Sequence, residues 1–156
     1  MKIAVFVDVQ NIFYTTRDTY ERQFNYRKFL EIIEKQGEIV SARAYAVQRI
    51  DTQQHKFQKA LKHIGFDVIL KPFIRRRDGT SKGDWDVGIT IDIMEISPTV
   101  DKVILLTGDG DFAILLDKIR HSYGVTTEVY GVKELTAKCL IDSATRFHSI
   151  GLDLLL

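Results

Sequence analysis

Carboxylates occur at chain positions that a parallel sheet would bring to one edge. Asp8 closes the first apolar run of the chain, and Asp109 and Asp111 come just after a later apolar run. Asp86 opens a helical pattern shortly before that later run. Several carboxylates close together repel one another, and they stay ionised only when a cation or hydrogen-bond donors offset their charge. Since hard oxygen ligands suit Mg²⁺ and Mn²⁺, the pattern predicts a divalent-metal site, and glycines on either side of Asp109 would let the backbone approach the metal or a phosphate.

Each aspartate also has a purely structural interpretation. Asp8 can cap the helix that follows it, since Asp is a favoured N-cap residue. Asp111 can cap a helix over 112–123 in the same way, and Asp86 can be a favourable acid in the first turn of its helix. We favour the metal site because independent caps would have no reason to converge at one place. Asp8 and Asp109 are its firmest members, because each follows a core strand.

Apolar runs rich in β-branched residues alternate with helical patterns along the chain. This alternation predicts a parallel sheet covered by helices on both faces, since a strand buried on both sides needs no polar alternation. With right-handed crossovers, the expected fold class is α/β, a three-layer α/β/α sandwich around a mostly parallel five-stranded sheet of order 3-2-1-4-5. Residues 1–156 are expected to form a single domain, with its site beyond the carboxyl ends of the strands. The predicted strands are Ile3–Asp8, Glu38–Val47, Phe66–Leu70, Lys102–Thr107 and Val125–Tyr130. The predicted helices are Asn11–Tyr20, Tyr26–Gln36, Thr52–Ile64, Trp85–Ile96, Asp111–Tyr123 and, for the most part, Leu135–Phe147.

The composition is that of a globular protein, with 45% hydrophobic and 28% charged residues. No apolar run approaches the ~20 residues that a bilayer-spanning helix needs, so no membrane partner is expected. Cys139 is the single cysteine, which excludes an internal disulfide or a cysteine zinc cluster and favours a cytoplasmic location. The net charge is +1, but residues 71–82 carry +4 and leave −3 for the rest. A local basic loop on a slightly acidic body indicates a localised contact with an anion.

Three motifs, each on the element where it is expected, resemble those of one protein family. They are Asp8-x-x-Asn11 after the first strand, Lys82-Gly83-x-x-Asp86-Val87 with Asp92 six residues on, and Thr107-Gly108-Asp109-Gly110-Asp111-Phe112. Together they are similar to the LabA-like branch of the NYN domain, in the PIN-like nuclease superfamily. The resemblance covers the chain from Lys2 to about Phe147.

The resemblance implies a PIN-like fold and metal-dependent cleavage of RNA phosphodiester bonds, leaving 5′-phosphate and 3′-hydroxyl ends. It carries a catalytic, metal-binding role onto Asp8, Asp86, Asp109 and Asp111, with Mg²⁺ or Mn²⁺ as the cofactor. It also carries a supporting polar role in catalysis onto Asn11. The amide of Asn11 can hold a water or a phosphate oxygen, and the alternative is a local hydrogen bond at the start of a helix.

Other motif positions are expected to support the site or to depart from the family pattern. Thr107 stands where the family commonly has Ser, and it keeps the hydroxyl. Thr145 stands where an Ala-Asp-x-Phe pattern commonly has an acid, so one possible carboxylate is missing. Asp92 lies six residues past Asp86, so on a helix it points roughly 120° away. The two cannot comfortably bind the same ion, and Asp92 is expected to be a supporting or surface acid.

The basic loop leads directly to Asp86. Its residues Arg75, Arg76, Arg77 and Lys82 would therefore lie at the rim of the acidic crevice. Phosphate contacts supply much of the affinity for nucleic acid without carrying sequence information, so we expect this loop to hold single-stranded RNA. Lys82 is the best candidate, because its spacing from Asp86 belongs to the motif. The alternative is a solvated charge run, and one short basic loop leaves a homodimer or another partner as a further expectation.

Two functions other than a ribonuclease stay open. A haloacid-dehalogenase-type phosphatase also uses an Asp after its first strand, but it needs a second Asp two residues later, where this chain has Gln10. A non-catalytic module could hold RNA or a nucleotide without cutting it, although binding alone has no need of so many repelling carboxylates. Dinucleotide binding is disfavoured, because Asp8-Val9-Gln10-Asn11 replaces the glycine-rich turn after the first strand.

Overall fold

The computed structural model describes residues 1–48, 52–72, 74–75, 81–82 and 84–156, with the side chains of 48, 72, 74, 75, 81 and 82 left out. The strands are β1 (Lys2–Asp8), β2 (Glu38–Gln48), β3 (Asp67–Pro72), β4 (Ile74–Arg75), β5 (Ser81–Lys82), β6 (Lys102–Leu106), β7 (Thr126–Gly131) and β8 (Arg146–Ser149). The helices are α1 (Val9–Tyr20), α2 (Tyr26–Glu34), α3 (Thr52–Ile64), α4 (Asp86–Ile96), α5 (Ala113–Tyr123) and α6 (Lys138–Ser143). Short 3₁₀ turns cover Ser97–Thr99, Gly110–Phe112, Lys133–Leu135 and Leu152–Leu154.

Six strands form one sheet in the order β3-β2-β1-β6-β7-β8, and each described pair of neighbours is parallel. β1 therefore lies at the centre, between β2 and β6. Val7 near the end of β1 pairs with Leu106 at the end of β6, so the two strands end side by side. The chain segments that follow β1 and β6 meet at this edge, which is where an open α/β sheet places its ligands.

The central strand is buried on both of its faces. Ile3, Val5 and Val7 of β1 belong to an apolar cluster shared with α1, α2 and α3. Ala4 and Phe6 point the other way, into a second cluster shared with α4, α5 and α6. Because both faces of the strand are covered, its apolar residues run without alternation. The two clusters and the sheet between them make three layers.

The predicted α/β class and three-layer arrangement are confirmed, and the first five strands of the sheet stand in the predicted order. The predicted number of strands is wrong, because β8 adds a sixth strand beside β7. The helix predicted over Leu135–Phe147 is correspondingly too long. Its helical part ends at Ser143, and the chain then turns extended and pairs Phe147 with Val129. β8 is a four-residue strand whose side chains are exposed or half-buried, so it lacks the apolar run that marks the other strands.

Part of the segment predicted as a basic loop forms a small β-hairpin. β4 and β5 pair in antiparallel fashion, with Ile74 opposite Lys82 and Arg75 opposite Ser81. The hairpin connects β3 to the start of α4, so its position is tied to the acid-bearing edge of the sheet. Within the described ranges, none of the helices has the length and apolar character required to cross a bilayer.

Candidate metal centre

Asp8 ends β1 and begins α1, and its carboxylate is held on both sides. Its Oδ1 accepts a hydrogen bond from the backbone amide of Asn11 at 3.4 Å, as an N-cap residue does. Its Oδ2 accepts from the hydroxyl of Thr107 at 3.0 Å. Asp8 is therefore both a helix cap and a residue of the acidic edge, because one oxygen binds the start of α1 and the other binds the loop after β6.

The loop after β6 is fixed by hydrogen bonds from both neighbouring segments. Thr107 is fully buried, and its hydroxyl also accepts from the amide of Asp109 at 3.2 Å. The amide of Gly108 donates to Oδ1 of Asn11 at 2.9 Å. Asn11 thus uses its side-chain carbonyl to hold the acid-bearing loop. This contact is long-range in sequence, unlike the local helix-start bond that the sequence alone left open.

Asp86, Asp109 and Asp111 form the acid triad of this edge. Each offers a carboxylate oxygen, and these oxygens all lie within 4.8 Å of one another. Asp86 and Asp109 are partly buried, and Asp111 is exposed. Oδ1 of Asp109 accepts from the amide of Asp111 at 2.9 Å, so Asp109 caps the 3₁₀ turn Gly110–Phe112. The alternative interpretation of Asp111 as a helix cap is therefore not needed, because Phe112 is the N-cap residue of α5 and Asp109 caps the turn before it.

Asp8 lies next to the acid triad without belonging to it. The pKa of Asp8 is raised to about 6, first by burial and to a lesser extent by the charge of Asp109, while hydrogen bonds from Thr107 and Asn11 act to lower it. The predicted four-residue site therefore divides into three clustered carboxylates and one flanking carboxylate.

The electrostatics of the acid triad call for a positive charge. The pKa of Asp86 is raised to about 7, first by burial and then by a hydrogen bond with Asp109 and the negative charge of Asp109. A carboxylate with such a pKa carries its charge reluctantly at neutral pH unless a cation lies beside it. Hard oxygens grouped this closely, from residues on two different elements, fit the ligand set of Mg²⁺ or Mn²⁺. The residues present therefore fit a divalent ion.

Asp84 is an acid of this region that the sequence reasoning missed. It is exposed, and its negative charge contributes to the raised pKa values of both Asp8 and Asp86. The available signal was its spacing, since Asp84 and Asp86 form an Asp-x-Asp pair at the start of α4. The backbone carbonyl of Asp84 accepts a hydrogen bond from Nζ of Lys71 at 2.7 Å, which ties the end of β3 to this acidic turn.

Asp92 lies on α4 away from the acid triad, and its partners are a tyrosine and an arginine. Its Oδ2 accepts from the hydroxyl of Tyr45 at 2.6 Å and lies 3.2 Å from Nη1 of Arg43. The ring of Tyr45 meets the ring of Trp85 edge-on at a centroid distance of 5.5 Å. The indole of Trp85 donates to the carbonyl of Ala46 at 2.9 Å. Asp92 and Trp85 thus help to hold α4 against β2. Asp86 of the acid triad directly follows Trp85 in the chain.

The glycines around Asp109 are required by the protein's own packing. A Cβ added to Gly108 would lie 2.6 Å from the carbonyl oxygen of Leu135, and one added to Gly110 would lie 2.8 Å from Cβ of Ala137. The segment after β7 therefore presses directly against the acid-bearing loop. The prediction explained these glycines by the approach of a ligand, whereas the structure gives a packing reason for both.

The sequence has clear relatives. A family model described as the NYN domain matches residues 2–153. The chain belongs to the NYN domain family. Low amplitude and bright protein LabA, from Synechococcus elongatus, is 28% identical over 146 residues, covering 86% of this chain and 78% of that protein. A crystal structure of a protein of unknown function from Vibrio parahaemolyticus has a TM-score of 0.95 and 50% identity, covering 99% of this chain and 96% of that one. The chain is a LabA-like NYN domain, and its family is one of PIN-like nucleases.

Where this NYN domain lacks the late acid of the family pattern, Thr145 has a structural partner. The hydroxyl of Thr145 accepts from the amide of Thr127 at 3.1 Å, and the amide of Thr145 donates to the hydroxyl of Thr127 at 3.0 Å. This reciprocal pair fixes the entry into β8 beside β7. Thr145 therefore helps to stabilise the sixth strand of the NYN domain.

The basic residues of the NYN domain fall partly outside the described ranges. Arg76 and Arg77 lie outside the described residues, and for Arg75 and Lys82 only the backbone is described, in the β4–β5 hairpin. Lys71 is described, and its ammonium group lies 5.4 Å from the centre of the Trp85 ring, in addition to its bond with Asp84. Lys71 brings one end of the basic segment to within contact of the turn that leads into Asp86.

Proposed function

We propose that the protein is a metal-dependent ribonuclease that hydrolyses RNA phosphodiester bonds, with Asp86, Asp109 and Asp111 holding a Mg²⁺ or Mn²⁺ ion. The observation that carries this proposal is the acid triad itself, whose carboxylate oxygens lie within 4.8 Å of one another at the carboxyl edge of the sheet. Membership of a family of PIN-like nucleases supports it independently. Carboxylates crowded in this way are costly to maintain, which favours a use that needs them over simple binding.

The acids of this edge have different hydrogen-bond partners, and these suit them to different roles. Asp109 is held in place by the amide of Asp111, so its second oxygen keeps a fixed direction. Asp8 is held by Thr107 and Asn11, and its raised pKa of about 6 suits a carboxylate that accepts a proton from the attacking water near neutral pH. A divalent ion bound by the triad would supply a Lewis acid that lowers the pKa of water and offsets the charge of the scissile phosphate.

The basic segment would hold the RNA strand. Lys71 lies against Asp84, and Lys82 is four residues before Asp86 in the sequence. Both ends of the segment are therefore tied to the acidic edge, with the arginines of 75–77 between them. Lysine and arginine contacts with phosphates provide affinity that does not depend on base sequence. We propose RNA as the partner of this surface on that ground.

The test is cleavage of a labelled single-stranded RNA by the purified protein with Mn²⁺, with Mg²⁺ and with chelator. We expect cleavage that requires the metal and leaves 5′-phosphate and 3′-hydroxyl ends. The matched variant is Asp109→Asn, because asparagine keeps the oxygen that caps the 3₁₀ turn while it removes the charge. This variant should lose activity by about a hundredfold or more, as groups that stabilise transition-state charge do.

The control variant is Asp117→Asn, which changes an exposed acid on α5 and should cleave like the wild type. Cleavage that continues in chelator and survives Asp109→Asn would contradict the proposal. RNA binding without cleavage in any metal would indicate a non-catalytic module. Release of phosphate from small phosphoesters would indicate a phosphatase, for which Gln10 stands where the required second acid should be.

A further inference from the structure

A cleft of about 350 Å³ opens beside the first residues of α1, which directly follow Asp8 in the chain. Its walls come from the start of α1, the end of β2, the chain before α2 and the first turns of α3. Val9 and Gln10, which line it, directly follow Asp8 in sequence. Asp109 and Asp111, by contrast, follow β6, on the opposite side of β1 from β2. The cleft therefore lies on the β2 side of Asp8, and the loop with Asp109 and Asp111 lies on its β6 side. The volume of the cleft falls within the size range of small-molecule sites.

Aromatic rings form much of the wall of this cleft. Phe13 and Tyr14 of α1 meet edge-on at a centroid distance of 5.5 Å, and Tyr26 meets Phe57 of α3 in the same way at 5.9 Å. Phe13 lines the cleft and is 46% exposed, so its side chain is accessible from the solvent. Rings arranged in this way offer flat apolar faces to a planar ligand.

Side-chain amides supply the polar part of the lining. Gln10, Gln23 and Gln54 line the cleft, and the amide of a glutamine carries both hydrogen-bond donors and an acceptor. None of the described lining residues is an acid, a lysine, an arginine or a histidine. The aromatic and amide groups of the described lining therefore suit a planar ligand that carries donors and acceptors on its edge. A purely apolar ligand would make no hydrogen bonds with the amides of Gln10, Gln23 and Gln54.

We propose that this cleft binds one nucleobase of the substrate strand, with the base against the aromatic rings and its edge against the glutamine amides. Nucleobases combine a π-face with a donor and acceptor edge, which is the combination that the lining offers. The assignment of the base to an RNA substrate rests on the proposed ribonuclease function. The pocket would make the enzyme selective for an unpaired base beside the cleaved bond.

The surroundings of the cleft agree with a nucleotide whose phosphate stays outside. The guanidinium carbon of Arg17 lies 5.4 Å from the centre of the Phe13 ring and 4.8 Å from that of Tyr14. Arg17 pairs with Asp18 at 3.1 Å, and both side chains are more than half exposed, so this arginine can exchange its partner for a phosphate at little cost. Negative charge on Asp8 also contributes, after burial, to the raised pKa of Tyr26, which shows that the lining and the acidic edge are near neighbours.

The experiment uses the four ribonucleosides adenosine, guanosine, cytidine and uridine, titrated into the full-length protein in the presence of chelator. Nucleosides carry no phosphate and the buffer holds no free metal, so binding is measured apart from the acid triad. We expect at least one nucleoside to shift the side-chain amide resonances of the glutamines in the NMR spectrum. Phe13→Ala and Gln54→Leu should each weaken that nucleoside about fivefold or more, since base stacking and edge contacts are lost. Phe13 is largely exposed and Gln54 is partly so, and both variants should keep the wild-type fold by circular dichroism.

Ile114→Ala serves as the control, because Ile114 is 78% exposed on α5 and takes no part in the cleft. This variant should bind the nucleoside like the wild type. If none of the nucleosides shifts the glutamine resonances, or if Gln54→Leu and Phe13→Ala bind like the wild type, the pocket proposal is overturned even when RNA is cleaved. If nucleosides bind in the cleft and no RNA is cleaved, the base pocket is supported and the ribonuclease proposal fails. In an active enzyme, Gln54→Leu should also change the base preferred beside the cleaved bond in a randomised RNA.

Discussion

The hydroxyl of Thr107 donates a hydrogen bond to Oδ2 of Asp8 at 3.0 Å, joining residues 99 positions apart. The same hydroxyl accepts from the amide of Asp109 at 3.2 Å. One buried oxygen therefore connects the flanking carboxylate with the loop that carries two members of the acid triad. Removing this hydroxyl should therefore affect both Asp8 and the loop after β6.

Replacing Thr107 with valine keeps the shape of the side chain and removes the hydroxyl. Because Asp8 and the amide of Asp109 then lose a partner in a buried place, we expect the variant to be less stable by about 1–3 kcal/mol. Thr107→Ser keeps both hydrogen bonds and should fall between the valine variant and the wild type. Urea unfolding at pH 7 measures the difference, and a valine variant as stable as the serine variant would show that these hydrogen bonds contribute nothing.

The acid triad should respond to metal more strongly than Asp8 does. In thermal unfolding, Mn²⁺ should raise the Tm of the wild type, because a ligand at a hundred times its Kd adds about 2.7 kcal/mol to the stability of the folded state. Asp86→Asn removes one of the three clustered negative charges and should abolish most of this rise. Asp8→Asn should retain most of it, since Asp8 lies outside the cluster. If both variants lost the Mn²⁺-induced rise in Tm to the same extent, all four aspartates would bind the metal.

Metal affinity should rise with pH up to about pH 7. The pKa of Asp86 is raised to about 7, by burial first and then by Asp109, so below that pH a proton must leave before the carboxylate can bind an ion. Each such proton weakens apparent affinity by about tenfold for every pH unit below the pKa. Titration of Mn²⁺ by calorimetry between pH 5.5 and 8, values chosen to span about one unit on each side of that pKa, measures the slope. Asp86→Asn should flatten it, and a wild-type affinity independent of pH would contradict the assignment of Asp86.

Gly108 should not tolerate a methyl group. In Gly108→Ala the new Cβ would lie 2.6 Å from the backbone carbonyl oxygen of Leu135, which cannot move aside as a flexible side chain can. We expect a loss of stability of about 1–3 kcal/mol, as for other overpacked sites. Gly151→Ala is the control, because its nearest neighbour is the carboxylate end of Asp153 at 3.3 Å. The denaturation midpoints of the two variants measure the difference in stability. Equal midpoints would show that the loop around Gly108 is not closely packed.

Glu128 should stabilise the protein in a pH-dependent manner. Burial alone would raise its pKa, but hydrogen bonds from Lys102 and His148, both at 2.6 Å, hold the pKa below its usual value. The stabilisation is therefore present above the ordinary glutamate pKa and is lost as the pH falls through the lowered one. Glu128→Gln leaves Lys102 buried without its counter-charge and should cost about 3–5 kcal/mol at pH 7. The difference in Tm from wild type should shrink on going to pH 3, whereas the exposed control Glu134→Gln should show little difference at either pH.

The fold class and much of the acidic edge could be predicted because they depend on local patterns. The apolar runs of β1 and β6 are buried on both sides, so each is recognisable on its own, and Asp8 and Asp109 follow from where those runs end. The order of the first five strands of the sheet follows from the general rules of α/β topology.

What could not be predicted depends on contacts between distant residues. β8 is a strand because Thr145 and His148 bond to Thr127 and Glu128, and its own four residues carry no such signal. Asp109 caps the turn Gly110–Phe112, and its own amide is held by the hydroxyl of Thr107, which lies in the loop after a different strand from Asp8. The aromatic cleft is likewise built from segments that only the folded chain brings together.

The central position of β1 has a consequence for a chain that is still being made. The ribosome releases β1 and Asp8 first, but the partner strand β6 and the loop with Asp109 and Asp111 follow about a hundred residues later. Until then Asp86 has neither of its companion carboxylates, and Asp8 has no hydroxyl from Thr107. The acid triad can therefore form only after β6 and the loop that follows it have been synthesised.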